Sequence, residues 1–368
     1  MTGGYPFDRH GIRRGSDGIA RYTDRPASLV SALRATLQRR PQAEAIVEIG
    51  GPRLTYAALW DRAESVAAGL RARGIRPGQR VGIHLPNGSD WCVAFFGIQL
   101  AGCVAVPIAT RLAPPEVRHI CADAGVSYLV ESGCLPQGTT PPRLPDPAPD
   151  DPAAIFYTSG TTGVPKGAVT THANFLANTE NARRMLGIGD PWRSLVSVPL
   201  AHVTGCNSQL LVSCELGGTL IIQPKFTPQS LLRTVQAERV TALMSVPSVY
   251  RLVADAPTAG DHDLRSVASL TYGGAPVPPG LAADMRKTFP QARVGNGYGL
   301  TESASFCTYL PDPYADSHAE TVGFAAPVVD LQVHEPDADG MGELLVRGPN
   351  VVREYWQDPG ATRRAFVD

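Results

Sequence analysis

A chain of 368 residues is long enough for a deep core and too long for one simple domain. Its formal net charge of −1 gives no electrostatic reason to expect nucleic acid or an anionic membrane as main partner, and a 43% hydrophobic share is ordinary for a globular protein. No apolar run approaches the roughly 20 residues that span a bilayer, and Met1-Thr2-Gly3-Gly4-Tyr5-Pro6 lacks the apolar centre of a secretory signal. The seven cysteines are scattered, odd in number and never spaced Cys-x-x-Cys, so neither a zinc site nor a disulfide framework is expected. A reducing cytoplasm fits that usage. The eight histidines show no metal-ligand spacing.

In chain order, residues 1–27 are polar and Gly/Arg-rich and read as an irregular arm. Leu29, Val30, Leu33 and Leu37 recur at helical spacing and predict a helix over Ser28–Arg40. Ala45-Ile46-Val47 and Arg53-Leu54-Thr55-Tyr56, joined around Gly50-Gly51, predict a hairpin, and a helix from Ala57 to Arg73 stops at Gly74. Strands at Arg80–Leu85, Val104–Ile108 and Ser127–Val130 alternate with helices at Asp90–Ala101 and Pro114–Ala124. Such alternation predicts a parallel α/β sheet. Residues 133–152 carry seven prolines and read as a stiff connector.

Beyond it, the β-like run Ala153–Tyr157 feeds Tyr157-Thr158-Ser159-Gly160-Thr161-Thr162-Gly163-Val164-Pro165-Lys166-Gly167. Four Ser/Thr hydroxyls, three glycines and one lysine within eleven residues suit a polyphosphate. Glycines let backbone N–H groups approach phosphate oxygens, the hydroxyls donate to the same oxygens, and the lysine supplies charge. Thirty of the thirty-three basic residues are arginine, so a lysine here suggests a need for a compact point charge. Gly167 stands where a Walker A loop needs Ser or Thr, which disfavours a P-loop NTPase. A helix over Asn174–Met185 follows and would add its dipole to a held anion.

Further strands are predicted at Ser194–Leu200, Gly218–Ile222, Ala242–Val246 and Ser269–Gly273, the last ending in Gly273-Gly274-Ala275-Pro276. Ligands of open α/β sheets bind at such carboxyl ends. The run Asn296-Gly297-Tyr298-Gly299-Leu300-Thr301-Glu302 offers an aromatic face for a purine, a hydroxyl for phosphate and a hard carboxylate for Mg²⁺. From Thr321 onward, short β-like runs are separated by turns. Tyr355-Trp356 reads as packing, and His202, between a strand and a Gly turn, reads as structural on its residues alone.

The Ser/Thr/Gly loop with its lysine, followed about 140 residues later by Tyr298-Gly299-Leu300-Thr301-Glu302, resembles the adenylate-forming superfamily: acyl- and aryl-CoA synthetases, adenylation domains of peptide synthetases and luciferases. The resemblance implies two parallel-sheet subdomains layered with helices plus a small β-barrel subdomain. The expected division is 1–132 with the first sheet, 133–152 as connector, 153–320 as the ATP- and acid-binding sheet, and 321–368 as the small β subdomain. It also implies a C-terminal domain that this sequence does not contain.

By the same resemblance, Thr158, Ser159, Gly160, Thr161, Thr162, Gly163 and Lys166 would grip the β- and γ-phosphates of ATP. Gly274, Ala275 and Pro276 would wall the adenine, with Asn296, Gly297, Tyr298 and Gly299 completing the nucleotide site. Thr301 and Glu302 would hold the α-phosphate side, Glu302 through Mg²⁺. His202 would border the carboxylate pocket and change rotamer between half-reactions. Val203, Thr204, Met244, Ser245, Tyr272 and Gly273 would line the acid. Ala201-His202-Val203-Thr204 offers no carboxylate for a substrate ammonium, which a buried amine would need, so a fatty, aryl or aryl-acrylic acid is expected. Coenzyme A or a carrier-protein pantetheine is the expected acceptor. Another acceptor, such as an amine or nitrogen oxyacid, and a non-catalytic nucleotide-binding module remain as alternatives.

Overall fold

The computed structural model describes residues 4–139, 144–158 and 165–367. β1 (Ile12–Arg14) and β2 (Ala20–Tyr22) form a short hairpin before α1 (Leu29–Arg39), β3 (Glu44–Glu48), β4 (Arg53–Thr55) and α2 (Tyr56–Ala72). Next come β5 (Arg80–His84), α3 (Ser89–Leu100), β6 (Val104–Pro107), α4 (Pro114–Asp123) and β7 (Val126–Glu131). The hairpin strands β8 (Pro152–Thr158) and β9 (Lys166–Thr171) lead into α5 (His172–Met185) and β10 (Arg193–Val196). A π-helical stretch, Thr204–Leu211, runs into α6 (Val212–Leu216). Then follow β11 (Thr219–Ile222), α7 (Pro228–Glu238), β12 (Ala242–Ser245), α8 (Pro247–Ala254), β13 (Ser269–Gly273) and α9 (Leu281–Thr288). The chain continues through β14 (Arg293–Leu300), β15 (Ser305–Leu310), β16 (Phe324–Ala325), β17 (Asp330–His334), β18 (Glu343–Arg347) and α10 (Pro359–Ala365).

Two mixed sheets carry the fold. The nine-stranded one runs β16-β15-β14-β13-β12-β10-β11-β3-β4 and is parallel from β14 to β3, with antiparallel strands at both edges. The five-stranded one runs β7-β5-β6-β8-β9, antiparallel only where β8 meets β9. Successive residues of a strand point to opposite faces, so strands buried on both sides are apolar throughout. Ile46, Leu220 and Ile222 pack into a core shared with α1, α2, α3, α5 and the inner face of the smaller sheet, where Val81, Ile83, Ala154 and Phe156 contribute. Their neighbours Val47, Leu195, Ile221, Leu243 and Leu270 turn the other way, under α7, α8 and α9. α3 is apolar nearly all round and is correspondingly buried on every side.

Four expectations change. The amino-terminal arm is anchored: Phe7 is buried beside Tyr309 and Phe324, Arg14 pairs with Asp330 at 2.7 Å, and the Tyr22 hydroxyl donates to Asn181 at 2.6 Å. Its polar composition hid this because the anchors meet partners far along the chain. Strand grouping is not contiguous either. The β3–β4 hairpin, expected in the first sheet, pairs in parallel with β11, and the strand feeding the Ser/Thr/Gly loop belongs to the smaller sheet. Nothing local in a strand's sequence states which sheet it joins. The Pro-rich connector is a strap rather than a spacer. A Cβ on Gly69 of α2 would come within 2.5 Å of the Gln137 nitrogen, and Pro149 and Asp151 carbonyls accept from Ala173 and His172 at the start of α5. Finally, β9 separates the loop from α5, so the dipole of α5 does not reach an anion held in the loop; Thr171 and Asn174 cap that helix reciprocally. The segment after 320 contributes β16 to the large sheet and the antiparallel ribbon β17–β18.

His172, at the first position of α5, is buried, and its Nδ1 accepts from the Leu29 N–H at 3.2 Å. Burial holds its pKa down to about 4, against a smaller opposing pull from Asp151. The unfolded chain takes up a proton near pH 6.5 that the fold refuses, so stability is full above that pH and falls as pH drops toward 4. Between pH 7 and pH 4 the wild type is expected to lose about 3 kcal/mol more than His172→Asn. Urea unfolding at both pH values checks this; equal losses in the two proteins would remove His172 as the cause.

Candidate functional site

The carboxyl ends of the parallel strands of both sheets meet. Asn87, after β5, donates to the Val198 carbonyl at 2.9 Å and accepts from Leu200 N–H at 2.8 Å, tying the loop after β5 to the loop after β10. In the antiparallel β8–β9 pair Thr158 stands opposite Lys166, so the lysine opens the return strand. Ser159, Gly160, Thr161, Thr162 and Gly163 lie outside the described residues.

The second motif is a sharp corner. β14 ends at Leu300, Thr301–Ser303 form one 3₁₀ turn, and Ala304 and Ser305 follow with φ of 52° and 118°. The glycines of β14 make that corner possible. A Cβ at Gly295 would lie 2.1 Å from the Tyr309 hydroxyl, and one at Gly297 would lie 2.3 Å from the Phe306 ring. Buried amides then hold the turn. Asn178 of α5 and Asn350 both donate to the carbonyls of Ser303 and Phe306, at 2.9–3.1 Å. Asn207 donates to Ala304 O, and Ser208 to Ser305 Oγ at 2.7 Å. Asn174, Asn178 and Asn181 sit at i, i+4 and i+7 of α5, forming a buried stripe that binds the 349–351 segment, the corner and Tyr22 respectively.

The two motifs join through a residue whose sequence context suggests packing alone. Tyr355 pairs in a β-bridge with Ala168, two residues beyond Lys166. Its hydroxyl donates to Glu302 Oε1 at 2.6 Å, and the Lys166 ammonium lies 5.6 Å from its ring centroid. Val352 N–H donates to the Glu302 carbonyl at 2.8 Å and Trp356 N–H to Gly167 O at 2.7 Å, so one short segment stitches both corners. Burial first, and the Glu302 carboxylate second, push the Tyr355 phenol far above its ordinary pKa, which keeps it a donor. The signal available in sequence was the adjacent pair Tyr355-Trp356, polar-tipped aromatics that seek a hydrogen-bond partner when partly buried.

His202 follows β10, with its backbone N–H bonded to Pro199 O. The residue is exposed, yet partial desolvation of the ring first and the Arg111 charge second lower its pKa. Val203 is buried and Thr204 half-buried at the start of the π-helical stretch. Gly274, Ala275 and Pro276 form an exposed bend beyond β13, Gly274 with φ of 73°. Strand alternation splits the remaining wall candidates. Met244, Gly273 and Gly297 share the face toward the π-helical stretch, whereas Ser245, Tyr272 and Asn296 are on the opposite face. Tyr272 packs its ring into the core beneath α8 and α9. Tyr298 is half-buried near the end of β14, and Gly299 abuts Ser305.

The expected metal finds suitable chemistry at Glu302. Among the described residues Tyr355 engages one of its oxygens, and no group of three His, Cys, Asp or Glu gathers anywhere. Mg²⁺ needs no such cage, since it commonly takes one or two carboxylates with phosphates and waters. Among the described residues no helix is long and apolar enough to cross a membrane.

The model of the AMP-binding enzyme family matches residues 33–140 and 130–356. A feruloyl-CoA synthase from an Amycolatopsis species is 36% identical over 351 residues, spanning 88% of this chain and 70% of the relative. FadD13 from Mycobacterium tuberculosis, a long-chain-fatty-acid–CoA ligase, is 32% identical over 368 residues, spanning 90% of this chain and 72% of the relative. The inhibitor-bound crystal structure of the N-terminal domain of FACL13 from the same organism superposes with a TM-score of 0.86 at 29% identity, covering 93% of this chain and 94% of that one. The chain therefore belongs to the AMP-binding enzymes of the adenylate-forming superfamily, and its described residues have the fold of their N-terminal domain.

Proposed function

We propose that this protein activates a fatty, aryl or aryl-acrylic acid as its acyl-adenylate and passes the acyl group to a thiol such as coenzyme A. The observation that carries this reading is Tyr355, which joins the lysine of one motif to the carboxylate of the other. A carboxylate is a poor acyl donor because its oxygen leaves badly. Attack of a carboxylate oxygen on the α-phosphorus of ATP forms the new O–P bond. The bond to the bridging oxygen breaks, and pyrophosphate leaves with the electron pair. A thiolate then attacks the acyl carbon and AMP departs.

No side-chain nucleophile is needed, so the residues position and neutralise charge. Lys166 with Thr158 and the neighbouring Ser159, Thr161 and Thr162 would hold the β- and γ-phosphates. Thr301 would hold the α-phosphate, and Glu302 would hold Mg²⁺, which supplies charge neutralisation to the phosphates when bound. Tyr298 and the Gly274–Pro276 bend would flank the adenine. His202, Val203, Thr204, Met244, Gly273 and Gly297 would border the acid, with no acidic residue among them to pair a substrate ammonium. The named activities of the relatives, feruloyl-CoA synthase and long-chain-fatty-acid–CoA ligase, support an acid without a charged amine.

ATP–pyrophosphate exchange across fatty, benzoic, cinnamic and amino acids tests the reading. Exchange stimulated by members of the first three classes and not by amino acids is expected. Stimulation by amino acids alone, or by none of the panel, would overturn it.

A further inference from the structure

Lys166 is a cation on a flexible stem, Glu302 is an anion, and both contact the same tyrosine. Opposite charges that can approach each other in a partly dehydrated site attract strongly. Yet among the described residues neither takes part in an ion pair, although Lys287 reaches an acid, Asp284, at 3.6 Å. We propose that Tyr355 is a spacer that holds Lys166 on its ring face and Glu302 on its hydroxyl, and so prevents the two from collapsing into a direct salt bridge. This rests on the adenylation reading above. A collapsed pair would neutralise the charge that the lysine needs for phosphate oxygens and the carboxylate needs for a hard cation.

The ring is well placed for that task. Its backbone is bridged to Ala168, its N–H donates to Thr362 Oγ1 at 3.0 Å, and its ring leans on Phe366 at 5.4 Å between centroids. The same segment bonds the Glu302 carbonyl through Val352. The spacer therefore rides on a frame shared by both charged residues. A cation over an aromatic face is attracted to it but keeps its charge, and its other donors remain available. Tyr355 is in this sense a positioning residue.

Calorimetric titration of ATP in EDTA separates a spacer from a merely structural tyrosine, because no metal then links Glu302 to the nucleotide. Four proteins are compared: wild type, Tyr355→Ala, Glu302→Gln and the double variant. Tyr355→Ala is expected to weaken metal-free ATP binding about tenfold when Glu302 is present, since the carboxylate then captures the lysine. In the Glu302→Gln background the same change is expected to cost less than twofold. Equal weakening in both backgrounds, or none in either, overturns the proposal. Should Tyr355→Ala fail to fold, Tyr355→Phe keeps the ring and removes the hydroxyl. The Mg²⁺ concentration for half-maximal exchange is then expected to rise about fivefold, and an unchanged requirement overturns the hydroxyl's role. Wild-type protein that does not bind ATP brings down the adenylation reading itself, and the spacer with it, before any variant is compared.

Discussion

Glu302→Gln is expected to lower ATP–pyrophosphate exchange by about 10²-fold, as loss of one preorganised electrostatic group typically does. The substitution is nearly isosteric. The amide oxygen still accepts from Tyr355, and the backbone contact from Val352 is untouched, so the corner should keep its shape. What disappears is the negative charge that would hold Mg²⁺ against the phosphates. Two measurements locate the loss. Metal-free ATP binding should not weaken, because removing an anion near a polyphosphate relieves repulsion, and the thermal midpoint should stay near that of the wild type. Exchange equal to wild type would refute the role. So would a parallel collapse of exchange, metal-free binding and melting, which would make Glu302 a structural residue.

The residues of that site were legible to different degrees. Lys166, Thr301 and Glu302 stand in contiguous runs whose composition already suits a polyphosphate and its metal, and a strand feeds each run. Helices α2 and α3 were legible from spacing and from sheer apolar density. Tyr355 was not, because the partner that gives its hydroxyl a purpose lies 53 residues earlier and the ring alone fits a core as well as a site. The asparagine stripe of α5 was hidden for a related reason. Asn174, Asn178 and Asn181 on one helix face suggest solvent, and only the packing of β15 and the 349–351 segment turns Asn174 and Asn178 into buried donors, while Asn181 accepts from Tyr22 of the amino-terminal arm. Which sheet β3, β4, β8 and β9 join is set by pairing across long stretches of chain, so no local pattern encodes it. The split of Met244 and Gly273 from Ser245 and Tyr272 was within reach, because the two-residue strand period requires it once the register is known.

Gly299→Ala should destabilise the fold by more than about 4 kcal/mol, the range reserved for changes with a specific structural cause. A Cβ there would sit 1.5 Å from the Ser305 oxygen, 2.5 Å from the Ser305 carbonyl carbon and 3.0 Å from Phe306 Cα. All three are backbone atoms, so no rotamer change relieves the overlap. The strands β14 and β15 would have to part where Gly299 pairs with Phe306 and Leu300 with Ser305, beside a register shift at Tyr298/Gly299. Ser305 cannot retreat freely, since Asn178 and Asn350 hold the flanking carbonyls and Ser208 bonds its side chain. The close approach is therefore what folds Thr301 and Glu302 into a corner, and one methyl group strikes at both stability and the site. Gly260→Ala is the matched control: nothing lies within 4 Å of its added carbon, and a shift within about 0.5 kcal/mol is expected. Urea unfolding of the two variants, with midpoint and slope compared, decides the matter. A Gly299→Ala protein as stable as Gly260→Ala would mean that β14 and β15 do not meet at this distance.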